Sequence, residues 1–265
     1  MSKTQIYTLV IAVTICLLAT AGFMGISDIV QAASQTVDRS QAVSFNDTPV
    51  QYAHVNGVTL GYREFGSGEP LLMVTGFGGT MNGWNQTFIG ILATKYHVYT
   101  YDHRGMGYSS DNNATPSIAQ YADDAAGLMT ALGYGSMHVY GVSMGSSISQ
   151  QLVIDHPERV RKLVLDSASD SIRIPETKRL LGIIEAVNVD PTYSQGIHEE
   201  AQADLAWNGT DTTPDVVSVR MAGQINGSWL VRFKGLPHAG SQYAPVEYGE
   251  NALTFLGMDE SPLSK

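Results

Sequence analysis

The chain has 265 residues, of which 43% are hydrophobic and 15% charged, with a formal net charge of −10 at pH 7. That length and apolar content suit one large α/β domain and exclude a disordered chain, while the acidic balance argues against a nucleic-acid partner. The single cysteine, Cys16, sits in the N-terminal apolar run, so the remainder carries neither a disulfide framework nor thiol chemistry.

Residues 1–32 place Lys3 before an almost uncharged run over residues 6–24, followed by Val30-Gln31-Ala32, a small-residue cleavage pattern. This predicts an export signal and an extracellular or cell-surface protein. The rival reading is an uncleaved membrane anchor over residues 5–24, a stretch close to bilayer-spanning length. Removal of the segment takes away Lys3 and Asp28, leaving 14 basic and 24 acidic residues, still net −10. Residues 33–50, rich in Ser, Thr, Gln and Asp, read as a linker, residues 51–258 as the folded domain, and residues 259–265 as a tail.

Two alternating runs, residues 52–55 and 58–63, flank Asn56-Gly57 and predict a hairpin. Residues 71–75 and 96–101 read as buried strands. Ile118, Tyr121, Ala125, Leu128, Met129 and Leu132 recur at helical spacing, and Gly133 follows as a stop. Residues 137–141 are then a strand, 144–154 a helix and 160–165 another strand. This alternation predicts a mostly parallel sheet covered by helices on both faces. The pattern weakens over residues 167–206, read as a short helical cap. Thr213-Pro214 opens a further helix ending near Gly223, residues 229–233 form the last strand, and residues 248–256 the closing helix.

The chemistry centres on Gly141-Val142-Ser143-Met144-Gly145, which puts a serine between glycines where a strand gives way to a helix. A serine hydroxyl needs a base, a carboxylate that orients the base, and donors for the developing oxyanion. His238, just after the last strand, fits the order Ser, acid, His. The oxyanion donors are expected from the backbone of Met144 and from Thr75-Gly76-Phe77-Gly78-Gly79, with Phe77 as the second amide. His103 and Arg104 read as structural. Trp84 and Met106 could line a pocket, but apolar residues beside glycine turns are more often core.

With these segments in view, residues 51–256 resemble the α/β-hydrolase superfamily in its small-ester-hydrolase form. The stretch Asp102-His103-Arg104-Gly105-Met106-Gly107-Tyr108-Ser109 is similar to the structural turn that follows an early strand in that family. Phe77 matches the family's second oxyanion donor, although Thr75 stands where a histidine is frequent. Gly209-Thr210-Asp211 resembles the family's acid loop, shortened, and the strand expected before it looks missing or replaced. The resemblance thus implies Asp211 as the first candidate for the acid, with Asp166, at the end of the strand after the serine, a site some members use, as the alternative; Asp215 and the absence of an acid remain open. The resemblance implies a serine hydrolase acting through an acyl-enzyme on a small, mostly apolar ester or related acyl compound. It implies no cofactor and no metal, and its partner is a small-molecule substrate, with a membrane involved only if the N-terminal segment is an anchor. The alternative is a non-catalytic member of the same fold that binds a small ligand.

Overall fold

The computed structural model describes residues 43–168, 178–207 and 238–258. Within them a six-stranded sheet runs in the order β1-β2-β4-β3-β5-β6. Strands β1 (Gln51–Val55) and β2 (Val58–Gly66) form the expected hairpin. At its tip Asn56 and Gly57 have φ of 46° and 79°, the left-handed pair that a two-residue turn requires. β2 also pairs antiparallel with β4 (Tyr96–Tyr101), whereas β4, β3 (Glu69–Val74), β5 (Met137–Val142) and β6 (Val160–Asp166) run parallel. All parallel strand ends that bear loops therefore open on one edge of the sheet.

Side-chain alternation explains why both faces are covered. In β3, Leu72 and Val74 join a core containing α2 (Ile118–Ala131) and α3 (Met144–Asp155), through Tyr121, Leu128, Ile148 and Leu152. Leu71 and Met73 face the other way, into a core with α1 (Gln86–Ala93) and, at the end of the chain, a helix over Pro245–Leu256. The four β3 residues are fully buried, and each such burial contributes about 1.5–3 kcal/mol.

α1 was not expected from the sequence. Its run Phe88-Ile89-Gly90-Ile91-Leu92 is buried on every side, which erases the 3.6-residue stripe. β6 is half-buried along most of its length, with Arg161 exposed and Asp166 buried. The cap contains α4 (Lys178–Val189) and α5 (Gln195–Ala206), which meet through Ile184 and Ala201. The closing helix, α6 (Pro245–Leu256), begins three residues earlier than its periodicity suggested, with Pro245 in the first turn, where a missing N–H costs nothing. The N-terminal segment, the Thr213-Pro214 helix, the strand at residues 229–233 and the question of a shortened penultimate strand all lie outside the described residues. Among the described residues, no helix is long and apolar enough to cross a membrane.

Candidate active site

Ser143 sits at φ 56°, ψ −123°, between β5 and α3. That conformation is strained for any residue with a Cβ, and the surrounding glycines show why the chain tolerates it. A Cβ on Gly145 would lie 2.5 Å from the Thr75 carbonyl oxygen and 2.7 Å from the Val74 carbonyl carbon. One on Gly141 would lie 2.5 Å from Ser149 Oγ and 2.8 Å from the Gly145 carbonyl carbon. The two glycines thus let α3 start directly against β3 and β5, which lifts Ser143 above the sheet edge. The turn is tied to β6, because Ser143 N donates to the Asp166 carbonyl at 3.0 Å. Ser146 Oγ donates to the carbonyls of Gly141 and Asp166 at 2.8 and 2.9 Å.

The expected base arrives from far along the chain. His238 Nε2 lies 2.7 Å from Ser143 Oγ, the distance of a hydrogen bond between nucleophile and base. Desolvation lowers the imidazole pKa below its usual 6.5, and the Asp166 charge pulls it partly back up. The neutral, proton-accepting form therefore prevails at pH 7.

Asp166 is buried at the end of β6 and braces the segment that carries His238. Its Oδ2 accepts from Ser241 Oγ at 2.7 Å and from Tyr140 Oη at 3.1 Å. Its Oδ1 accepts from Ser167 Oγ at 2.9 Å, and Ser167 Oγ in turn accepts from Ala239 N at 2.8 Å. The carboxylate therefore fixes residues 239–241 by both oxygens and acts on the imidazole through its charge. Tyr140, Ser167 and Ser241 were not singled out in the sequence, where a loop serine carries no mark of the carboxylate it will meet. Asp211 and Asp215 lie outside the described residues.

The glycine-rich loop after β3 comes up against the nucleophile. A Cβ on Gly76 would lie 3.0 Å from Ser143 Cβ and 3.7 Å from its Oγ. Gly79 N donates to the Gly76 carbonyl at 2.9 Å, closing a turn in which Gly78 has φ 68°. Phe77 occupies the middle of that turn and packs, with Leu180, Leu181 and Leu205, against the cluster of Ile184 and Ala201 in the cap. Met144, the other expected donor, opens α3 directly after Ser143.

The residues read as structural are buried braces. Asp102 accepts from Met81 N at 2.6 Å and from Tyr108 N at 2.7 Å, which holds the turn after β4. Arg104 donates to both oxygens of Asp124, at 2.6 and 2.7 Å, with both side chains 2% exposed. Trp84 and Met106 are buried core. Among the described residues no group of histidines, cysteines and carboxylates could hold a metal ion.

Comparison with known proteins bears on the family and the fold. A family model described as alpha/beta hydrolase fold matches residues 69–195. A protein named as a carbamate hydrolase in Azorhizobium caulinodans is 37% identical over 114 residues, 43% of each chain. One named as a non-heme bromoperoxidase in Mycobacterium tuberculosis is 30% identical over 188 residues, 68% of this chain and 66% of its own. The chain thus spans less than half of the first relative's length and about two thirds of the second's. An esterase from Exiguobacterium antarcticum superposes with a TM-score of 0.66 at 17% identity, covering 78% of this chain and 99% of that one. A hydrolase from Pseudomonas aeruginosa superposes at 0.64 and 20% identity, covering 81% and 100%.

Proposed function

Because the chain belongs to the α/β-hydrolase superfamily, we propose that it is an exported serine hydrolase that cleaves a small, mostly apolar ester or related acyl compound. The observation that carries this reading is the 2.7 Å hydrogen bond between His238 and a serine held in a strained, raised turn. Ser143 Oγ attacks the acyl carbonyl while His238 Nε2 takes its proton. The oxyanion of the tetrahedral intermediate is received by the amides of Phe77 and Met144. Collapse restores the carbonyl and breaks the bond between the acyl carbon and the alcohol oxygen, and the imidazolium protonates the departing alcohol. A water molecule, deprotonated by His238, then attacks the acyl-enzyme, releasing the carboxylic acid and restoring the serine. Asp166 is the acid of this reading, with Asp211 the alternative, because it is buried at the end of β6 and its carboxylate holds the segment next to His238 through Ser167 and Ser241. Its charge favours the imidazolium in both steps. The apolar cluster of Phe77, Leu180, Leu181 and Ile184 beside the loop supports an apolar acyl group.

A fluorophosphonate probe tests the assignment directly, since it labels only an activated serine. Wild type is expected to be labelled at Ser143 and to hydrolyse short p-nitrophenyl esters, and Ser143→Ala to do neither. An unlabelled wild type would point to a non-catalytic, ligand-binding member of the fold.

A further inference from the structure

Glu200 lies on α5, in the cap, and has no exposed surface. Its Oε2 accepts from Gly78 N at 2.6 Å, inside the glycine turn that carries Phe77. Its Oε1 meets His103 Nδ1 at 2.9 Å, and His103, in the turn after β4, is itself only 1% exposed. One carboxylate therefore joins three segments remote in sequence: the loop beside the nucleophile, the turn after β4 and the second cap helix. A buried carboxylate left alone would be costly. Here a ring N–H and a short charge-assisted amide bond satisfy it, and such bonds are about twice as strong as neutral ones.

The turn needs an external hold. Three of its four residues, Gly76, Gly78 and Gly79, lack a Cβ, and its own closure is the single Gly79-to-Gly76 hydrogen bond. Such a segment loses much backbone freedom when fixed, yet an oxyanion donor works only if it is fixed before the charge develops. The Phe77 side chain packs against the cluster of Ile184 and Ala201, so the cap grips the turn at two successive residues, one through apolar contact and one through Glu200.

We propose that Glu200 is a positioning residue that holds the Gly76 to Gly79 turn from the cap side, so that the seating of α5 sets the aim of the Phe77 amide at the acyl oxygen. The proposal rests on the hydrolase reading above. It gives the cap a part in positioning the oxyanion donor, so the packing of α5 bears on turnover.

The test compares Glu200→Gln and Glu200→Ala with wild type. The glutamine variant keeps the volume and one acceptor for Gly78, so it covers the case in which the alanine variant fails to fold. Amide exchange followed by NMR is expected to accelerate at Gly78 by about tenfold in the glutamine variant and more in the alanine variant, since a weaker acceptor opens the turn more often. With p-nitrophenyl acetate, kcat is expected to fall about tenfold for glutamine and by up to about 10²–10³ for alanine, the cost of one lost oxyanion donor. KM should stay within about twofold, because the oxyanion exists only beyond the ground state. Unchanged exchange at Gly78, or a changed KM with kcat intact, would overturn the proposal in favour of a purely structural or substrate-binding role. Failure of the hydrolase reading is scored separately, by fluorophosphonate labelling of wild type, while exchange at Gly78 is measured whether or not the protein turns over.

Discussion

Replacing Gly145 by alanine tests the architecture of the elbow at the point where sequence, packing and chemistry meet. The new methyl carbon would lie 2.5 Å from the Thr75 carbonyl oxygen and closer still to that of Val74, about 1 Å inside ordinary contact distance. Both neighbours are backbone, one ending β3 and the other opening the glycine loop, so neither can rotate away. The helix start must move off the strand, and overpacking of this kind costs about 1–3 kcal/mol. For a domain of this size each kcal/mol lowers Tm by about 2–4 °C, giving an expected fall of about 2–12 °C. The same movement separates Ser143 from the Phe77 amide, and a misplacement of about 1 Å costs about 10²-fold in turnover. Gly135→Ala is the control, because a Cβ there meets nothing within 4 Å. Differential scanning calorimetry and ester turnover on the three proteins decide the matter. If Gly145→Ala keeps the wild-type Tm and kcat, the strand and helix are not in contact at this glycine, and the account of the raised serine is wrong.

Ser143→Ala and His238→Ala should each abolish turnover, with the double variant scarcely worse than either alone; additive losses would remove His238 from the role of base. Asp166→Asn should lower kcat by about 10²–10⁴ and move the acidic limb of the kcat/KM profile to still lower pH, since the Asp166 charge raises the pKa of an imidazole that burial otherwise depresses. Asp211→Asn should be nearly silent, and the opposite pair of results would return the acid to Asp211. Asp204, buried and near the Glu200 charge, has its pKa raised to about 7, above the unfolded value of about 3.9. Its contribution to stability is therefore fully present below about pH 4 and is lost as pH rises through 7. Urea titrations should accordingly find Asp204→Asn more stable than wild type at pH 8, by a few kcal/mol at most, and no more stable at pH 4. If the exported reading holds, Edman sequencing of the protein should start near Ala33; an intact Met1 or Ser2 in washed membranes would establish an anchor instead.

The central layout was legible because its signals are local. Asn56-Gly57 dictates a hairpin from two residues, and Gly-x-Ser-x-Gly encodes a steric demand in five. His238 was reachable through chain order once the serine was placed. What escaped depends on contacts that no window of sequence contains. Asn85 was a sound helix start, since its side chain accepts from the amides of Thr87 and Phe88, but the all-round burial of α1 left no stripe to follow. Glu200 sits among Glu199, Ala201 and Gln202 in what reads as a solvated helix face; its burial comes from a loop more than a hundred residues away. Ser241 and Ser167 become informative only once the β6 carboxylate is placed between them. Asp211 lies outside the described residues, so its claim against Asp166 stays as the family pattern left it.

The backbone of Ser143 has one further consequence. A residue held at φ 56°, ψ −123° is in a region where only glycine is at ease, at a cost of order 1–3 kcal/mol. Folding on its own would favour glycine at position 143, and a glycine variant should melt later than wild type while being inert. The hydroxyl is thus maintained against the conformational preference of its own main chain. Selection for thermal robustness alone would drift towards its loss, so any stabilised descendant obtained without an activity screen should be sequenced first at this codon.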